Sequence, residues 1–82
     1  MVKIRNIEIK DNILKFDYYP EDESAKGYAE YDFIKEEVIV LQKSDSKYEY
    51  YTEKYFYHAL ERVKNAIRNN KDLSGTLTCM WY

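Results

Sequence analysis

Cysteine, histidine, proline and glycine are all scarce in this chain. Among 82 residues there are one Cys, one His, one Pro and two Gly. A single cysteine excludes an internal disulfide, and no Cys/His cluster has the spacing of a zinc site. Two glycines cannot build a phosphate-cradling loop, and no nucleophile elbow or paired-carboxylate motif is present. No apolar run approaches the roughly 20 residues that a membrane-spanning helix needs. The N-terminal residues MVKIRNIEIK have no apolar h-region, so they are not read as a signal peptide. Together these absences predict a reduced, cytoplasmic protein with no membrane association.

What is present suits a small globular domain. The chain is 45% apolar, carries a net charge of -2, and is short enough to form one domain spanning residues 1–82. Disorder is excluded by the apolar content and by the regular alternation of strand and turn signals.

The strongest periodic segment is residues 46–70, SKYEYYTEKYFYHALERVKNAIRNN. At about 100° per residue, Phe56, Ala59, Leu60, Val63, Ala66 and Ile67 fall on one side of a helix. Ser46 and Glu49 fit a capping box, and Thr52 is a competing start that leaves the preceding tyrosines extended. Asn69-Asn70 can end the helix in a left-handed conformation, and Arg62, Lys64, Arg68 and Lys71 suit the negative end of its dipole.

Five segments read as strands. Residues 2–10 alternate, but the parity of Val2/Ile4 differs from that of Ile7/Ile9, which predicts a β-bulge at Arg5-Asn6. Asp11-Asn12 is a two-residue hairpin turn leading into residues 13–19. An acidic loop, residues 20–27, precedes a third strand at 28–34. Lys35-Glu36 turns the chain into residues 37–42, whose VIVL run predicts a central strand. Residues 75–82 form the fifth strand. The order ββββαβ predicts an α+β fold: an antiparallel sheet of about five strands with one long helix on one face. It excludes a doubly wound parallel sheet.

No residue constellation carries catalytic chemistry. His58, the only histidine, lies on the helix face opposite the apolar stripe, a solvated position. Cys79 alternates with Leu77 and Trp81 on the core side of its strand and reads as a buried small residue. Glu21, Asp22 and Glu23 lack the ligand spacing of a calcium loop and read as a solvated acidic loop. The sequence therefore predicts no catalytic residue, metal or cofactor.

Tyrosine is the unusual enrichment, at ten residues. Lys, Asn, Ile and Tyr together number 32 of the 82, and all have A/T-rich codons. Part of the enrichment thus reads as the composition of a low-GC bacterial or phage genome. The rest suits recognition, since tyrosine is large, rigid and amphipathic. One helix can cover only one sheet face, which leaves Tyr19, Tyr28 and Tyr82 on the other, while Tyr50 and Tyr57 line an outer helix flank. These five are the candidate contacts to another protein chain, either a second copy or a different partner, which binds one sheet face or edge with the adjoining helix flank; strand edges add unpaired amides that a second chain could complete. The sequence thus predicts a non-catalytic interaction module. The alternative is an accessory factor touching nucleic acid through the basic helix end at Arg62, Lys64, Arg68 and Lys71; the acidic net charge and the lack of an RNP-like strand argue against it.

Overall fold

The computed structural model describes residues 1–21, 24–46 and 53–80. The elements follow in the order β1 (Val2–Lys10), β2 (Ile13–Pro20), β3 (Gly27–Asp32), β4 (Glu37–Gln42), α1 (Lys54–Arg68) and β5 (Leu77–Cys79). The strands form one antiparallel sheet in the order β4-β3-β2-β1-β5. The fold is therefore α+β with ββββαβ order. The first four strands make a meander, and the segment containing α1 carries the chain across the sheet to place β5 beside β1.

Local chemistry accounts for the strand pairing. The register of β1 against β2 shifts between Arg5 and Glu8, and Asn6 takes a positive φ of 55°, which asparagine tolerates better than most residues. The extra residue returns Ile9, opposite Leu14, to the face that Ile4 shares with Tyr18. Asp11 and Asn12 both have positive φ, 51° and 69°, the backbone of a two-residue turn whose twist matches its strands. At the β3–β4 turn, Asp32 Oδ1 accepts from the amides of Ile34 (2.8 Å) and Lys35 (2.9 Å), and Glu36 takes a positive φ.

The helix is shorter than the sequence pattern implied. It begins at Lys54 with Glu53 at the N-cap and no side-chain cap. Ser46 lies ahead of it and is buried, its amide donating to Ser44 Oγ at 3.1 Å. The expected Ser46 start is thus corrected, while Glu49 and Thr52 lie outside the described residues. The C-terminal end agrees with expectation. Asn70 adopts φ 54°, its amide donates to the Ile67 carbonyl, and the Lys71 amide reaches back to Ala66 at 2.9 Å, a left-handed termination that satisfies the last carbonyls.

The core lies between α1 and the sheet. Val2, Ile4, Leu14, Phe16, Tyr18, Ala29 and Tyr31 meet Tyr55, Phe56, Ala59, Leu60 and Val63. At its centre Phe16 and Phe56 are nearly parallel at 6.3 Å, with Tyr18 tilted 6.0 Å from Phe56. Tyr18 lies over Gly27, its cross-strand partner, so closely that a Cβ there would overlap the ring. The helical stripe is as the periodicity predicts, except that Ile67 is half-buried and Tyr55 is buried as well, its hydroxyl donating to Glu21 Oε1 at 2.7 Å.

One expectation about the sheet is overturned. β4, the most apolar strand, is not central but is an outer strand. An α-helix is about 10 Å wide and strands lie about 4.8 Å apart, so one helix covers about half of a five-strand sheet. Here α1 packs against β1, β2 and β5, which leaves β4 beyond it.

Candidate protein-interaction surface

The face of the sheet turned away from α1 is laced with charge. Directly opposed residues read Arg5, Asp17, Tyr28 and Gln42 along one row, and Glu8, Lys15, Glu30 and Val40 along the next. Asp17 is buried, accepts from Asn6 Nδ2 at 2.7 Å, and lies 3.8 Å from Lys26 Nζ. Alternating signs across neighbouring strands stabilise such a face in water.

Tyr19 and Tyr28 are brought together on this face. Asp17 stands opposite Tyr28, and Tyr19 is the next residue of β2 on the same side. Both rings are half-buried. Arg5 lies over the Tyr19 ring at 5.4 Å. The Tyr28 hydroxyl donates to Glu30 Oε2 at 2.8 Å; that bond, then desolvation and the charges of Glu30, Asp17 and Glu8, raise its pKa. Tyr57 is 52% exposed on the helix, away from this pair. Tyr50 and Tyr82 lie outside the described residues, as does Trp81.

Around Tyr57 the helix carries an open depression of about 220 Å³ lined by Lys54, Tyr57, His58 and Glu61. His58 is half-buried rather than fully solvated, a correction to its expected placement. Burial first, then Lys54 and the N-terminal ammonium, hold its pKa below the ordinary 6.5. An imidazole so placed is neutral at physiological pH. Cys79 is half-buried on β5, opposite Val2. Among the described residues no group of three His, Cys, Asp or Glu side chains could hold a metal ion.

The basic residues of the helix end are engaged within the chain. Arg62 Nε donates to the Thr78 carbonyl at 3.3 Å. Lys64 lies 3.5 Å from Glu61 and over the Tyr31 ring at 5.4 Å. Arg68 donates to Asn65 Oδ1 at 3.1 Å. Only Lys71 projects without such a bond among the described residues.

What sequence reasoning missed is that the exposed edge is β4. Among the described residues no strand lies outside β4. Val38 is 40% exposed, Ile39 52%, and Ile34 in the adjoining turn 73%. An outer strand with free amides and exposed branched apolar side chains is a template for another chain. Tyr28 stands directly beside it, opposite Gln42. The available signal was the charge at both ends of the strand, Glu36-Glu37 and Lys43, which is how outer strands are kept soluble.

The chain matches no protein-family model, no curated protein and no solved structure. Among the described residues no helix is long and apolar enough to cross a membrane.

Proposed function

We propose that this protein is a non-catalytic, cytoplasmic interaction module that binds another protein chain along the β4 edge. The observation that carries this reading is the exposure of Ile34, Val38 and Ile39 on and beside an outer strand. Main-chain hydrogen bonds to β4 supply the pairing, and these side chains supply the apolar contact. Tyr28, next to the edge, is the tyrosine that joins this surface; Tyr19 lies one strand further in. Tyr57, on the helix flank, is a contact only for a partner that wraps around the molecule, and Tyr50 and Tyr82 are tested alongside it by substitution.

The test is capture from native lysate with tagged protein. Ile39→Asp places a charge in the contact and is expected to abolish capture with little change in melting temperature. Tyr28→Ser/Tyr82→Ser is expected to weaken it, and Tyr50→Ser/Tyr57→Ser to leave it intact. Capture that survives Ile39→Asp but fails in a tyrosine double variant moves the binding surface to the tyrosines.

A further inference from the structure

The ladder between β1 and β5 ends at Ile4 and Leu77. Just beyond it Asn6 and Gly75 both take positive φ, 55° and 78°, and the two chains part around a recess of about 280 Å³. Arg5, Asn6 and Ile7 line one side and residues 73–76 the other. The recess lies at the β5 side of the sheet, away from β4. Arg5 Nε donates to Thr76 Oγ1 at 3.2 Å, and the guanidinium lies over the Tyr19 ring at 5.4 Å. These contacts engage its Nε–H and its face and leave the terminal N–H groups of the fork. Asp17, its cross-strand neighbour in β2, is engaged elsewhere, accepting from Asn6 Nδ2 at 2.7 Å and lying 3.8 Å from Lys26 Nζ. Among the described residues no carboxylate forms an ion pair with Arg5. Thr76 Oγ1 accepts from Arg5, so its own O–H is directed to another acceptor, and none is bonded to it among the described residues. An oriented guanidinium thus stands beside a hydroxyl donor with no acceptor supplied by the chain. Ile7 and Leu73, both half-buried, give the same recess an apolar wall.

We propose that this recess binds a small monocarboxylate with a short apolar tail, its carboxylate on Arg5 and Thr76 and its tail on Ile7 and Leu73. A planar carboxylate matches an arginine fork through two parallel N–H···O bonds. The surrounding charge favours a monoanion over a phosphate dianion. Asp17 lies across the strand from Arg5, and Asp72 precedes the lining segment, its Oδ1 turned to the amide and hydroxyl of Ser74 at 2.9 and 2.8 Å. A dianion carries a second charge that Arg5 leaves unmatched beside these carboxylates. The volume falls just below that of pockets for drug-sized ligands, about 300–1,000 Å³, which limits the tail to a few carbon atoms. So small a ligand makes few contacts, and binding is expected at about millimolar Kd.

Proton–nitrogen correlation NMR of the full chain, titrated with isovalerate at constant ionic strength, tests this. Isovaleramide supplies the same tail without the charge, and inorganic phosphate supplies a different anion. Isovalerate is expected to give saturating shifts at the amides of residues 5–7 and 73–76 and none along β4. Arg5→Gln is expected to weaken binding about tenfold or more, and Thr76→Val, which keeps the arginine, about threefold. Spectral dispersion reports whether each variant is folded, and Thr76→Val decides if Arg5→Gln is not. A parent without saturating shifts, equal shifts with isovaleramide, or tighter binding of phosphate overturns the proposal. Undiminished binding by either folded variant overturns it as well.

Discussion

Leu60 joins helix periodicity to core packing at a single residue. It is 5% exposed between α1 and the sheet, and Leu60→Ala is expected to cost about 2–5 kcal/mol. In a chain this short that is a large share of total stability, so the variant should melt far below the parent in a calorimetric scan. A melt within a degree or two of the parent contradicts the assigned buried face. His58 carries the clearest pH prediction. Its folded pKa lies below that of the unfolded chain, so the unfolded state binds more protons as pH falls. The resulting stability is fully present above the unfolded value of about 6.5 and is lost as pH drops through the folded pKa. Proton NMR should give a titration midpoint below 6.5, and a midpoint at or above it returns His58 to the solvated position that helical periodicity alone assigns. Periodicity places a residue around one helix but not against the loops beside it. That is why the half-burial of His58, and the Tyr55 contact to Glu21, were not legible.

At the scale of elements, punctuation was legible and coverage was not. The bulge at Asn6, the turn at Asp11-Asn12 and the helix end at Asn70 all follow from residues that accept positive φ. Asn12→Val puts a β-branched side chain at φ 69° and should cost about 1–2 kcal/mol, read as a lowered denaturant midpoint, whereas Asn12→Gly should be near neutral. A tolerated valine contradicts the assigned turn. The capping box at Ser46 failed because a local hydrogen-bond pattern competes with tertiary burial: Ser46 is 2% exposed, beside Ser44, whose amide donates to the Tyr18 hydroxyl at 3.3 Å. β4 was misplaced for a related reason. An unbroken apolar run is what a doubly covered strand shows, yet here an outer strand with Val38 and Ile39 exposed shows the same run.

For the whole molecule, one helix over five strands leaves a remainder of uncovered sheet, and the connection decides where it falls. The chain leaves β4 through α1 and returns at β5 on the far edge, so cover gathers over β1, β2 and β5 and exposure gathers at β4. The sequence predicted that a sheet face or edge would be left over and assigned it to the tyrosine-bearing face. The cross-strand order of Glu8, Lys15 and Glu30, which makes that face self-sufficient in water, emerges only once register is known. The most direct test of the account is residue-resolved amide hydrogen exchange of the isotope-labelled full chain, in buffer and in native lysate. The account predicts that amides along Glu37–Gln42 become protected in lysate while those of Leu77–Cys79 at the opposite edge do not change. Exchange along β4 that is fast and identical in both contradicts it.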